Sequence, residues 1–153
     1  MKLITRALAV CLFLFIYNIP SVLSQGKLPT GLYKLEDNGS YKLTLDGKTY
    51  YAVTPAIATI KNIKTVSIIQ DRVRNGLYAL NITLDAEGTK NLKEATPFVY
   101  KQPQKQFGIV IKGELLLAPQ GTTPITNGHL SVDHKSKAKL EQIADGLKAE
   151  LSK

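Results

Sequence analysis

The sequence predicts an α+β fold in which two helices pack on one face of a mainly antiparallel sheet. Runs of alternating apolar and polar residues fill much of the first half of the chain and indicate half-buried strands. An apolar stripe at helical spacing closes the chain. Strands and helices do not alternate in the regular βαβ order of a parallel sheet, which favours the α+β class.

The first 24 residues have the three-part layout of a secretory signal peptide. Lys2 and Arg6 make the start basic, and an apolar run then covers residues 7–19 before a proline. That run is shorter than the roughly 20 residues that a membrane-spanning helix needs. We therefore expect cleavage between Ser24 and Gln25 and a periplasmic or secreted product.

Two alternatives to cleavage stay open. The segment could be retained as an anchor, or Cys11 could carry a lipid, although the bulky Val10 before it argues against lipidation. Cleavage would remove the single cysteine of the chain. The mature protein would then have no disulfide, thiol nucleophile or cysteine metal ligand.

After the signal, we expect a linker over residues 25–31 and a single α+β domain over residues 32–153 without a transmembrane helix. The whole chain has a formal net charge of +8, and its bases are spread along the sequence, often beside acidic residues. A nucleic-acid site would need bases gathered on one face. We therefore expect a mildly basic surface and no nucleic-acid partner.

Period-two patterns predict the strands of the first half. Tyr41, Leu43 and Leu45 share one face of the first strand, and the pair Asp46-Gly47 suits a tight hairpin turn. Later strands are predicted over residues 49–53, 65–70 and 78–84.

A short helix is predicted after Thr54-Pro55, a pair typical of a helix start. Ile57, Ile60 and Ile63 recur every three residues behind it. Their β-branched side chains favour a strand instead, so the two interpretations compete.

The second half begins with a predicted helix over residues 86–96. Asp85 caps it, because a carboxylate can accept from free backbone N–H groups, and Pro97 ends it. A polar loop over residues 98–106 is expected to project into solvent. Two strands, 107–111 and 114–118, turn at Lys112-Gly113, and the closing helix has the apolar stripe Leu140, Ile143, Ala144, Leu147 and Leu151.

The second half also carries an ordered set of motifs. In chain order they are Leu84-Asp85-Ala86-Glu87-Gly88-Thr89, Ile109-Val110-Ile111-Lys112-Gly113-Glu114-Leu115-Leu116-Leu117-Ala118-Pro119, Pro124-Ile125, Leu130-Ser131 and Ile143-Ala144-Asp145-Gly146-Leu147. This order resembles the head of the first periplasmic domain of SecD and SecDF, the membrane subunits that assist protein export. The likeness covers residues 78–152 well and 50–77 faintly, and it does not reach 25–49.

The chain departs from that family at several places. Its hairpin turn is Lys112-Gly113 where the family usually has Asp-Gly, and the following link carries Gly121 and Gly128 without a double glycine. The family's membrane helices and proton-conducting charges are missing. The resemblance implies the fold and a binding role for unfolded or secreted chains, but it does not imply proton-driven transport.

His129, Asp133 and His134 form the one grouping that could suggest a metal. Zinc needs three or four converging donors, and no third strong ligand can be assigned. Asp133 is more simply a helix cap. A Ser-His-Asp triad would need one of these histidines as base, and no Gly-x-Ser-x-Gly turn accompanies them. We predict no catalytic, cofactor or metal site.

Other polar candidates have structural explanations. Asp85 and Glu87 could be paired carboxylates, but a helix N-terminus accounts for both. Asn38 and Asn81 each begin a glycosylation triplet, and Asn81 lies within a predicted strand.

An exposed sheet edge is the stronger candidate for binding, because it offers unpaired N–H and C=O groups to an extended peptide. The loop over residues 102–106 lies among the candidate contacts. Tyrosines could add flat contacts, although Tyr41 and Tyr78 are expected to half-bury; the candidates are Tyr33, Tyr41, Tyr50, Tyr51, Tyr78 and Tyr100.

The sequence thus favours a non-enzymatic, exported binding module whose partner is extended polypeptide or an envelope protein. Two other classes stay open. One is a small secreted enzyme with an unrecognised site. The other is a basic domain that binds envelope polyanions, which salt-sensitive binding would reveal.

Overall fold

The computed structural model describes residues 26–71, 74, 76–100, 105–120 and 125–153, without the side chains of residues 98–100. The predicted signal peptide lies outside the described residues. In chain order the elements are β1 (Gly31–Leu35), β2 (Tyr41–Leu45), β3 (Lys48–Thr59), a 3₁₀ turn (Ile60–Asn62), β4 (Ile63–Gln70), β5 (Tyr78–Leu84), α1 (Ala86–Tyr100), β6 (Gln106–Ile111), β7 (Glu114–Leu117), β8 (His129–His134) and α2 (Lys137–Leu151).

The described strands form two antiparallel sheets. Five strands follow the order β2-β3-β1-β6-β7, and three follow the order β4-β5-β8. The chain first passes from the five-stranded sheet to the three-stranded sheet between β3 and β4, where only the 3₁₀ turn separates the two strands. The predicted α+β class, with antiparallel strands and two helices, is confirmed, and the sheet is divided into two.

The five-stranded sheet is buried on both faces along β1 and β6. Its end strands β2 and β7 contact each other, so the sheet curls around a small inner core. On β6, Val110 faces this inner core, whereas Ile109 and Ile111 face the main core. The inner core consists of Leu28, Tyr33, Leu35, Leu43, Ala52, Val110 and Leu115.

Part of the expected linker packs against this sheet. Leu28 is buried in the inner core. The Thr30 hydroxyl accepts from the backbone N–H of Lys112 at 3.1 Å. The boundary between linker and domain stays a prediction.

The main core lies between the two helices, the three-stranded sheet and the other face of the five-stranded sheet. The predicted stripe of α2 is confirmed over its first four positions, whereas Leu151 at the helix end is 39% exposed. A Cβ added at Gly146 would lie 3.0 Å from Ile111 Cδ1. The missing side chain therefore lets α2 approach β6 closely.

Both predicted hairpin turns are confirmed. Asp46 and Gly47 have φ angles of 49° and 76°, and Lys112 and Gly113 have 52° and 85°. Two successive residues with positive φ are the geometry of a two-residue turn that follows the twist of the strands it joins.

The predicted helix after Thr54-Pro55 is wrong. β3 continues to Thr59, and only the 3₁₀ turn follows. Ile57 is buried in the main core, and Ile60 and Ile63 pack against it. Strand, turn and strand thus bring to the main core the same three isoleucines that a helix would have brought there.

The predicted helix end at Pro97 is also wrong, because α1 continues to Tyr100. Proline removes the N–H that would bond the carbonyl of Lys93, and Lys93 lies on the exposed side of the helix. Next to the proline, the hydroxyl of the buried Thr96 donates to the Leu92 carbonyl at 2.8 Å. One lost hydrogen bond near the end of the helix is tolerated here.

Truncation of Leu147 tests the packing of α2. Leu147 is 1% exposed in the main core, so Leu147→Ala should lower the free energy of unfolding by about 2–5 kcal/mol. Lys148 is exposed on the same helix, and Lys148→Ala should change it by less than about 0.5 kcal/mol. Denaturant unfolding measures both values. Equal and small effects would show that this face of α2 does not support the core.

Candidate functional site: the open edges of the three-stranded sheet

Two hydrogen bonds at the C-terminal end of β5 show which neighbouring strand its backbone groups face. The N–H of Leu84 donates to the Gly128 carbonyl at 3.0 Å, on the β8 side. The N–H of Asp85 donates to the Asn62 carbonyl at 2.8 Å, on the β4 side. Backbone groups alternate along a strand, so the odd-numbered residues of β5 bond to β4 and the even-numbered ones bond to β8.

The register between β4 and β5 shows which backbone groups of β4 face its outer edge. Odd-numbered residues of β4 lie opposite odd-numbered residues of β5, as Ser67 does opposite Asn81. The backbone N–H and C=O groups of Val66, Ile68 and Gln70 therefore point away from the sheet. They have no neighbouring strand among the described residues.

The outer edge of β8 follows from the same register. Its even-numbered residues bond to β5, so the backbone groups of His129, Ser131 and Asp133 point outward. The N–H of His129 donates to Asn127 Oδ1 at 3.2 Å, which agrees with an outward direction. The outward N–H of the first β8 residue is therefore already bonded and is not open to an added strand.

The three-stranded sheet has one face on the main core; the opposite face, which carries Ser67 and Ser131, is called the uncovered face. An ion-pair cluster lies at one end of this uncovered face. Arg74 Nε is 2.6 Å from Asp71 Oδ2, and Arg74 Nη2 is 2.6 Å from Asp133 Oδ2. Hydrogen bonds to Asp71 and then to Asp133 raise the pKa of Arg74. The cluster ties the loop after β4 to β8 and lines a concavity of about 750 Å³ whose other walls include Ile69 and Ser131.

Asp71 and Arg74 are not among the residues predicted from the sequence. Their three-residue spacing was visible as a possible ion pair next to a turn. The partner Asp133 is distant in sequence, and only the pairing of β5 with β8 brings it to Arg74.

The proposed capping role of Asp133 is wrong. Asp133 lies in β8, and the helix after it is capped by Ser136, whose Oγ accepts from the Lys139 N–H at 3.2 Å. Ser and Asp are both common caps, so composition alone does not separate them.

His129 and His134 lie at opposite ends of β8. His129 Nδ1 is 3.2 Å from the Thr83 hydroxyl, and His134 Nδ1 accepts from the Ser136 N–H at 2.9 Å. Among the described residues, no group of three His, Cys, Asp or Glu side chains is placed to hold a metal ion.

The capping role of Asp85 is confirmed, since its Oδ1 accepts from the Gly88 N–H at 2.7 Å. The buried amide of Asn62 lies 3.4 Å from both Asp85 oxygens and 3.3 Å from Glu87 Oε2. These two carboxylates therefore have a structural role: they bind the Asn62 amide at the start of α1.

The candidate tyrosines have different fates. Tyr33 is 2% exposed and its hydroxyl donates to the Pro29 carbonyl at 2.9 Å, so it is a core residue and offers no surface contact. Burial raises its pKa, and the nearby Tyr41 adds to the shift. Tyr41 and Tyr78 are half-buried, as predicted, and so are Tyr50 and Tyr51. The side chain of Tyr100 is outside the described residues.

Residues 101–104 of the predicted polar loop are also outside the described residues. Gln106 belongs to β6 and not to a loop, and its amide donates to the Ala118 carbonyl at 3.0 Å. Of the glycosylation candidates, Asn38 is exposed between β1 and β2, and Asn81 is half-buried in β5.

Neither helix in the described part of the chain has the length and apolar character to cross a membrane. No family model matches the sequence, and no curated protein matches it.

The fold resembles that of solved SecDF structures. One is SecDF described as a membrane component that enhances protein export, with a TM-score of 0.53 and 17% identity over 81% of this chain and 64% of that chain. Another is SecDF in a super-membrane-facing form, with a TM-score of 0.54 and 17% identity over 81% of this chain and 19% of that chain. The resemblance predicted from the motifs is confirmed as a likeness of fold.

The buried hydroxyl of Tyr33 predicts a pH-dependent stability difference. Near neutral pH, Tyr33→Phe should cost about 1 kcal/mol by leaving the Pro29 carbonyl without its donor. The folded state raises the pKa of Tyr33, so the advantage of the parent is complete below the free value of about 10. It should decrease as the pH rises further, because the phenolate is poorly accommodated in the core.

Denaturant unfolding of parent and variant between about pH 8 and pH 11 measures this difference. A stability difference that stays constant across that range would contradict the burial of a neutral phenol at this position.

Proposed function

We propose that this chain is a non-enzymatic exported module that binds unfolded or extended polypeptide through an edge of its three-stranded sheet. The observation that carries the proposal is the row of outward-pointing backbone groups on β4, with a second row on β8. Backbone groups recognise any extended chain, because every residue except proline offers the same donor and acceptor. Such binding needs no catalytic side chains.

The likeness to SecDF supports a role related to protein export. SecDF is described as a membrane component that enhances protein export, and the likeness of fold covers 81% of this chain. A periplasmic or envelope location agrees with this likeness, and polypeptide or the export machinery is then the natural partner.

The predicted signal peptide supports the same location. We propose cleavage between Ser24 and Gln25, because the basic start, the short apolar run and the small residues before the cut fit that processing. Mass spectrometry of the exported protein should give a chain that begins at or near Gln25. An intact Met1 end or a lipid on Cys11 would contradict it.

Binding to an unfolded protein tests the function directly. The mature protein should bind a labelled, permanently unfolded polypeptide with a Kd in the micromolar range, about −8 kcal/mol, without cleaving it. Backbone pairing is tolerant of sequence, so unrelated unfolded chains should bind with similar affinity. Fluorescence titration measures the affinity, and electrophoresis of the recovered polypeptide checks that it is intact.

The double substitution His129→Ala and His134→Ala is the control, since neither histidine side chain has a role in this proposal and the backbone groups of both residues are kept. Its affinity should match that of the parent. A parent that shows no binding at high micromolar concentration would contradict the function. Loss of binding in the double variant alone would indicate a histidine-centred site.

A further inference from the structure

We infer that β4 is the edge that receives the polypeptide, and that the preferred segment is extended, apolar at alternate positions and acidic toward its C-terminal end. This inference rests on the proposed function and identifies the edge and the ligand class.

The two edges differ in the backbone groups that they still offer. On β8, the outward N–H of His129 is already bonded to Asn127 Oδ1. On β4, Val66, Ile68 and Gln70 present successive outward N–H and C=O groups. β4 is also the longer strand, with eight residues against six. It therefore offers the more complete ladder to an added strand.

Apolar side chains beside the β4 edge are incompletely covered. Ile63 and Ile68 pack against the main core but remain partly exposed, and Ile69 on the opposite face is 53% exposed. Residues directly opposite each other on neighbouring strands share a face. Side chains of an added strand opposite Val66 and Ile68 would therefore lie on the core side, where apolar groups extend the core.

The incoming strand should therefore be apolar at every second residue. Between those positions its side chains would lie on the uncovered face beside Ser67, which is exposed and polar.

Positive charge at the start of β4 explains why the preferred segment is acidic toward its C-terminal end. Lys61 and Lys64 are exposed there, and Lys64 is the single charged residue within the strand. Antiparallel pairing is the slightly more stable arrangement, and it places the C-terminal end of the incoming segment beside the start of β4. Acidic residues at that end would meet the two lysines.

The same charges favour a polypeptide partner over a second copy of this chain. The formal net charge of +8 falls to +6 when the signal peptide with Lys2 and Arg6 is removed, so two mature copies repel each other, whereas an acidic segment is attracted.

Amide hydrogen exchange followed by NMR tests which edge is used. The probe is a nine-residue peptide of alternating valine and threonine that ends in two glutamates. At saturation, exchange of the Val66, Ile68 and Gln70 amides should slow by about tenfold or more, because each gains a bond or a covering strand. The Ser131 and Asp133 amides should be unchanged.

A matched pair of lysine substitutions gives an independent readout. Ile69→Lys places a charge on β4, and Ser131→Lys places the same charge on β8; both side chains are exposed, so neither variant loses core packing. Charged residues on an edge strand oppose the addition of another strand. Ile69→Lys should weaken binding by about tenfold, and Ser131→Lys by less than about twofold.

The peptide with two C-terminal lysines instead of glutamates should bind more weakly than the acidic probe, and increasingly so at low salt. Equal affinity of the two peptides would overturn the acidic preference.

Each remaining outcome has a distinct meaning. Protection of Ser131 and Asp133, with binding retained, would overturn the assignment to β4 and leave the proposed function standing. Failure of the parent to bind any extended polypeptide would overturn the function itself. A concentration-dependent dimer that Ile69→Lys abolishes, without peptide binding, would assign the edge to a second copy.

Discussion

The buried amide of Asn62 holds together the point where the two sheets and the first helix meet. Its Oδ1 accepts from the backbone N–H of Thr59 at 3.0 Å, and its Nδ2 faces Asp85 and Glu87. Its own carbonyl accepts from the Asp85 N–H. One residue therefore bonds to the end of β3 and to the start of α1, next to the entry to β4.

The two sheets differ in how much of their surface is buried. The five-stranded sheet is buried on both faces along β1 and β6, and its end strands β2 and β7 contact each other, so the two edges of this sheet lie side by side. The three-stranded sheet is covered on one face only, with Leu80 and Val132 inside and Ser67 and Ser131 outside. The curled five-stranded sheet thus packs against a smaller sheet whose end strands, β4 and β8, have open edges among the described residues.

Much of the fold was predictable because it depends on local patterns. Alternation predicted β5, stripe spacing predicted α2, and both two-residue turns followed from an Asp-Gly and a Lys-Gly pair. The errors occurred where a local pattern had two solutions. The isoleucine spacing after Thr54-Pro55 suits a helix as well as a strand followed by a turn, and the capping role fell to Ser136 in place of Asp133.

The candidate site was less predictable than the fold. An edge exists only once strand order is known, and the sequence does not reveal that β4 and β8 flank β5. The cluster of Arg74 with Asp133 depends on the same pairing. By contrast, the idea that an edge would matter came from the absence of catalytic groupings and from the SecDF-like motifs, both of which are visible in the sequence.

The placement of β1 between β3 and β6 has a consequence for how the molecule is made. A chain that leaves the ribosome begins with its N-terminal end, so β1 and β3 emerge well before β6, and α2 emerges last. The local hairpins β2–β3 and β4–β5 can form early, but closing the distant β1–β6 pair costs loop entropy and cannot precede the synthesis of β6. Until β6 has been made, β1 lacks one of its two neighbouring strands, and until α2 has been made, the main core is incomplete.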